Sequence, residues 1–559
     1  MRAVSIIFMI FCLALFTVGC SDSTSPDEDG NGGNNTGTTH SSNITQDETW
    51  DSGTHIIDGI ITISNAIVTI EAGATVIFKE GARLMVGTNG GLIADGTADE
   101  ILFTGDVKQK GYWQYVEFRS DAIAASCVLK NVTLEYGGGY SSDSYMLQID
   151  NNATVTNCTI RNSSSNGVWI DDDLSPTFIN NTITMNDGYP VETYISSIHS
   201  VQLGSGSFLG NGKNYVLIND DYLEKAATAH LLDVPYRFDG ISSVTASGVL
   251  TIEAGTTIEM NSDARLIIDD GAGLIAQGTP TDKITFTGAI KQAGYWQYIQ
   301  FRNNAINNQS ILNNVIIEYG GGYSSSSAQL FIENEATVTN TIIRYSGSYG
   351  CEINYDKKPI FADNQLTANT KAPLYIYASS LPGMDLGSCD FTGNSEEFIY
   401  VDDDYISTSG IIAKTNVPYR FTGLTSITDN SVVTIEPGTT IEFDSDARFS
   451  VSEGCELIAD GTTEQITFTG AVKQKGYWQY IGFDSNASNN SKLINCLVEW
   501  GGGYPDLGII VVNNSAIIQN CTIQHSSSNG IYVWSHTGST ANMSNNTFID
   551  IDGQDYYID

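Results

Sequence analysis

The residues best equipped for chemistry in this chain come as a set, and the set occurs three times. Gly111-Tyr112-Trp113-Gln114-Tyr115 returns at Gly294 to Tyr298 and at Gly476 to Tyr480, at spacings of 183 and 182 residues. Each copy is followed by an acid, an aromatic residue and glycines: Glu135-Tyr136-Gly137-Gly138-Gly139-Tyr140, then Glu318-Tyr319 to Tyr323, then Glu499-Trp500 to Tyr504. Flat rings beside amide and carboxylate groups suit stacking on sugars and hydrogen bonding to their hydroxyls. The candidate ligand-binding residues are therefore Tyr112, Trp113, Glu135, Tyr136 and Tyr140 in the first copy. Tyr295, Trp296, Glu318, Tyr319 and Tyr323 stand in the second, and Tyr477, Trp478, Glu499, Trp500 and Tyr504 in the third. The competing reading is structural, since Trp and Tyr at the corner of a repeat can simply pack a long loop and fix its register.

Other chemistry has thinner support. Asp171-Asp172-Asp173, Asp220-Asp221 and Asp402-Asp403-Asp404 gather hard oxygen ligands, so calcium is the one ion to consider and no other cofactor is expected. None of these runs has the spacing of a calcium loop, and neighbours on a strand point to opposite faces, which favours solvated acidic turns. The six histidines show no triad-like or metal-ligand spacing. Of nine cysteines, Cys12 and Cys20 lie near the N-terminus; the other seven form no C-x-x-C pair. Cys158 and Cys521 correspond to Thr341, a swap a required disulfide would not tolerate, so buried free thiols are expected. The net charge of −39, from 64 acidic against 25 basic residues, disfavours nucleic acid as a partner.

Something must hold these residues at their stations. Gly, Asn, Ser, Thr, Ile, Val and Tyr are abundant, which favours short strands and turns. Thr69-Ile70-Glu71 matches Thr251 to Glu253 and Thr434 to Glu436, and Phe103-Thr104-Gly105 matches Phe286 to Gly288 and Phe468 to Gly470. A fixed period of this kind means repeat architecture. A finer grain lies inside it: Leu493 to Trp500 is answered by Ile518 to His525, 25 residues on. Asn157, Asn495, Asn520 and Asn546 mark joints between short alternating runs, where Asn tolerates left-handed backbone. From Trp50 onward the chain resembles the right-handed parallel β-helix of the pectin-lyase-like superfamily. That resemblance implies an all-β solenoid of roughly 20 coils at about 4.8 Å each, a rod on the order of 100 Å long. The segments Val234-Pro235-Tyr236-Arg237-Phe238 and Val417-Pro418-Tyr419-Arg420-Phe421 set module limits at 51–233, 234–416 and 417–559, the third module being incomplete.

The N-terminus carries an address. Arg2 precedes an apolar run from Ile6 to Val18, too short to span a bilayer as a mature helix, that ends at Thr17-Val18-Gly19-Cys20. Residues 1–20 thus resemble a bacterial lipoprotein signal peptide with Cys20 as the lipidated residue, although Thr17 stands where Leu is usual. Residues 21–50 read as a polar, disordered tether. Its acids Asp22, Asp27, Glu28 and Asp29 resemble the surface-export tract of Bacteroidota lipoproteins. The expected location is the bacterial cell envelope, lipid-anchored in the outer membrane and facing outward.

The superfamily resemblance also raises catalysis. Polysaccharide lyases on this fold need a Lys or Arg base, a neutraliser for the uronate carboxylate and a single cleft. Lys108, Lys291 and Lys473 recur in register, as do Arg83, Arg265 and Arg448, but Arg119 and Arg302 become Asp484 and Lys110 and Lys475 face Ala293. An active site normally occurs once, whereas a scaffold or multivalent binder is naturally repeated. The sequence therefore points to a surface binding or structural protein, adhesin-like, that engages polysaccharide or another cell-surface ligand. A polysaccharide lyase or hydrolase and a passive stalk are the alternatives.

Overall fold

Short β-branched segments broken by Asn and Gly can bury their apolar side chains only by stacking on copies of themselves, and the chain does so throughout. The computed structural model describes residues 37–559 apart from Ser326 and Ala541. The proposed signal peptide, Cys20 and the first part of the tether lie outside the described residues. Strands of two to five residues pair in parallel with strands one coil away, forming three long faces around about 21 coils. The fold is an all-β parallel solenoid, as the residue pattern predicts.

Alternation along each strand sorts the side chains. On one face Leu84, Val116, Leu147, Val168 and Val191 stand in register and are all fully buried. Their neighbours Met85, Glu117, Gln148, Trp169 and Glu192 form the outward row on the same strands. One hydrophobic core runs from Ile44 to Val533 and on to Tyr556, so the three modules share a single interior. The seven cysteines 127, 158, 351, 389, 455, 496 and 521 are buried and free. Cys158 Sγ donates to the Leu129 carbonyl and Thr341 Oγ1 to the equivalent Leu312 carbonyl, which is why the two residue types exchange at that site.

Two expectations shift. Asn157, Asn495 and Asn520 do take left-handed backbone, with φ of 55°, 51° and 54°, but Asn546 does not; Asn545 beside it does. Asn546 instead bridges coils with its amide, accepting from Cys521 N–H at 3.0 Å and donating to the Ile518 carbonyl at 2.9 Å. Asn181 and Asn364 do the same in the other modules. The tether is also shorter than its composition suggests. Thr38–His40 and Glu48–Trp50 are strands paired on the first full coil, with Ile44 and Trp50 buried. The Trp50 ring lies between His40 and His55 at 4.2 and 5.1 Å, so one stack of rings closes a segment otherwise poor in apolar residues.

Candidate functional site

The repeated motif forms the corner between two faces. In the first module, Ile101–Gly105 ends one face and Val116–Phe118 begins the next. The loop between them carries Tyr112 and Trp113, and one coil on the Gly137-Gly138-Gly139 turn lies directly against it. A Cβ on Gly139 would sit 2.0 Å from the Gly111 carbonyl oxygen, and one on Gly137 would sit 2.8 Å from the Trp113 ring. Glycine is required here because neighbouring coils touch backbone to backbone.

This close approach corrects the expectation of exposed indoles. Trp113, Trp296 and Trp478 are each 0 % exposed. Their ring N–H groups donate to the carbonyls of Glu135, Glu318 and Glu499 at 2.9, 2.8 and 2.9 Å. Trp113 stacks on Phe78 at 4.2 Å and Trp478 on Phe443 at 4.4 Å. A glycine corner leaves a hollow that only a large flat ring fills, so these residues are core and cannot stack on a ligand.

The glutamates are also withdrawn from the surface. Glu135 accepts from Thr104 at 3.0 Å, from Lys108 at 3.2 Å and from the Arg161 fork at 2.8 and 2.9 Å. Burial pushes its pKa up, but the hydrogen bonds from Arg161, Thr104 and Lys108 outweigh burial and hold it below the usual 4.5. Glu318 has the same arrangement with Thr287 at 2.9 Å and Arg344 at 2.8 Å. Glu499 bonds to Thr469 at 2.8 Å and has Gln524 in place of the arginine, at 2.6 Å. A carboxylate held ionised by such partners is poorly suited to act as a general acid. The recurring lysines turn inward to the same cluster: Lys291 donates to Thr287 at 2.7 Å, and Lys473 lies 3.5 Å from Glu499. Arg119 and Arg302 pair with Glu117 at 3.0 Å and Asp269 at 2.7 Å.

The remaining candidates divide by exposure. Tyr112, Tyr295 and Tyr477 are half-buried along the loop. Tyr136, Tyr319 and Trp500 sit at left-handed φ of 69°, 68° and 67°. Tyr319 stacks on Tyr345 at 5.1 Å and Trp500 on His525 at 4.1 Å, so the following coil covers them. Only Tyr140, Tyr323 and Tyr504 project freely, at 59 %, 60 % and 44 % exposure.

These three belong to a group that residue order alone does not assemble. The edges of Tyr140, Tyr323 and Tyr504 meet the rings of Tyr115, Tyr298 and Tyr480 at 5.8, 5.6 and 5.9 Å, near a right angle each time. Arg83 lies over both Tyr115 and Tyr140 at 5.3 and 5.7 Å, and Arg265 over both Tyr298 and Tyr323 at 5.7 and 5.9 Å. Arg448 lies 5.8 Å from Tyr480. The Nε of all three arginines is buried without a hydrogen-bond partner. Arg83 and Tyr115 are 32 residues apart, one coil, so the coil length at that corner is the signal that pairs them. In the third module a cleft of about 480 Å³ opens beside Tyr504, lined by Gly502, Gly503, Pro505, Ser527, Asn529 and Asp552.

Among the described residues no group of three or more His, Cys, Asp or Glu side chains is arranged to hold a metal ion. The acidic runs considered for calcium do meet in space, for burial followed by the charges of Asp171, Asp221 and Asp173 raises the Asp172 pKa. Asp173 is 3.9 Å from Lys225, and Asp402 accepts from the Tyr375 hydroxyl.

Comparison with known proteins agrees with this architecture. Residues 110–226 match a family model described as a right handed beta helix region, which covers the first corner and the rest of its module. No curated protein matches the chain.

Proposed function

We propose that this chain is a multivalent, polysaccharide-binding rod of the bacterial envelope, anchored through lipid on Cys20 in the outer membrane and exposed at the cell surface. The observation that carries the reading is the Arg–Tyr–Tyr group. Its outermost tyrosine stays exposed in all three modules, although no packing demand keeps an aromatic ring there. An exposed ring face, a guanidinium with a spare donor and a nearby amide match the faces and hydroxyls of a sugar. Arg83 reaches Gln114 at 3.3 Å and Arg265 reaches Gln297 at 3.2 Å, which brings that amide into the group.

Glycan-array binding by the chain, compared with the Tyr140→Ala, Tyr323→Ala, Tyr504→Ala triple variant, tests the reading. Binding of the parent and at least a tenfold loss in the variant are expected; an unchanged array signal would remove these residues from the binding surface. Cys20→Ser should shift the protein from the membrane to the soluble fraction. A passive stalk is the second reading, favoured by the burial of every corner tryptophan, and it predicts no array signal at all. Release of unsaturated product from uronate polymers, with or without calcium, would instead point to a lyase.

A further inference from the structure

The three corner groups share one structure but not one side of the rod. In the first module the strand before the motif, Ile101–Gly105, lies in a seven-stranded sheet, and the strand after it, Val116–Phe118, lies in a thirteen-stranded sheet. In the second module it is the strand before the motif, Ile284–Gly288, that lies in the thirteen-stranded sheet; the strand after, Ile299–Phe301, has moved to a fourteen-stranded sheet. The third module moves again. Ile466–Gly470 lies in the fourteen-stranded sheet and Ile481–Phe483 in a separate seven-stranded one.

The cause sits at the module joins. Val191–Tyr194 pairs directly with Val216–Asn219, and Leu374–Tyr377 with Ile399–Asp402. Across the coil between them, the 3-10 turn Ile195–Ser200 and isolated bridges replace strands on the other two faces. The strand that opens each new module therefore stacks one face later than the strand that opened the last. Seven pairings separate Val116–Phe118 from Ile284–Gly288, so successive motifs are seven and a third coils apart. At about 4.8 Å per coil that is roughly 35 Å along the axis. Each motif also occupies a different corner of a three-sided rod.

A plane laid against such a rod touches one face and two corners, and a chain lying along it touches one corner. Neither geometry engages all three groups. Resting on the binding reading above, we propose that the three corners hold three separate chains of an uncharged polysaccharide, so that the rod acts as a cross-link rather than an adhesive patch. An uncharged chain is specified because a net charge of −39 repels polyanions. The competing geometry is one flexible chain wound round the rod, which would gain avidity on a single polymer.

Beads coated separately with laminarin, xyloglucan and galactomannan distinguish the cases. The parent chain should cluster beads over a window of protein concentration and disperse them at excess. The single-site variant Tyr323→Ala, Tyr504→Ala should still bind a bead, with affinity within about tenfold of the parent, and should not cluster. One wound chain predicts no clustering by the parent and a loss of roughly a hundredfold or more in the single-site variant, which would overturn the proposal. Binding without clustering overturns cross-linking alone, whereas no binding to any of the three coatings would take the binding reading with it.

Discussion

Trp113 and Tyr140 come from one repeated motif, 27 residues apart, and end in opposite environments. The indole fills the hollow under a glycine corner and donates to a backbone carbonyl, while the phenol stands in solvent with an arginine over its ring. Trp296 and Tyr323, and Trp478 and Tyr504, repeat the contrast. A motif recurring for two reasons looks uniform in sequence, because a demand of packing and a demand of recognition both favour aromatic residues. What separates them is the neighbouring coil, which closes over one ring and not the other.

The largest effect should come from the buried half. Trp113→Ala empties a fully buried ring site and leaves the Glu135 carbonyl without its donor, and a loss of about 3 to 5 kcal/mol is expected. Because each coil contacts mainly its neighbours, the damage should be local, raising hydrogen exchange near residues 78–139 with little change in the third module. If Trp113→Ala left exchange unaltered, the ring would not be the keystone of its corner. Gly137→Ala tests the same hollow from the other side. Its new Cβ would meet the Trp113 ring at 2.8 Å and Met146 Cγ at 2.9 Å, an overpacking penalty of about 1 to 3 kcal/mol.

Much of the architecture is legible in the order of residues alone, and for a physical reason. Period-two alternation, Asn at the joints and a motif spaced at 183 and 182 residues each reflect the repeat itself, which stacking requires to be regular. Burial at the corner is not legible in the same way. Whether Trp478 faces in or out depends on how closely the Gly501-Gly502-Gly503 turn of the next coil approaches, a distance that no residue type states alone. Glu135 misleads for a similar reason, since Arg161 and Lys108 reach it from opposite directions 26 and 27 residues away. The shift of one face per module is hidden as well. It arises from a coil that lacks strands on two faces, and residue spacing alone does not show that.

Acid should sharpen the contrast between modules. The folded-state pKa of Glu135 lies below 4.5, so its bonds contribute stability that is present above that pH and lost as pH falls through the folded value. Arg161 and Lys108 are about half exposed, so solvent screening limits the effect to about 1 kcal/mol. Glu135→Gln should remove this pH dependence from the first corner, measured as exchange or proteolysis between pH 6 and pH 3. His40 adds a separate contribution at the first coil. Burial lowers its pKa below 6.5, so the coil is held above that pH and loosens below it.

The smallest stability effect belongs to the exposed half, and it carries the most weight for function. Tyr140→Ala removes a ring that is 59 % exposed and leaves Tyr115, which is 8 % exposed, in place beneath Arg83. The lost edge contact is partly wet, and the change in stability should stay within about 0.5 kcal/mol, as for other surface substitutions. Tyr115→Ala should destabilise more by the same calorimetric measurement, because its ring is buried against the coil. If the roles were those of a structural corner only, the two variants would differ in stability and agree in leaving glycan binding unchanged. If the outer ring is the contact, Tyr140→Ala reverses that order, costing almost nothing in folding and about a third of the sites in a bead assay.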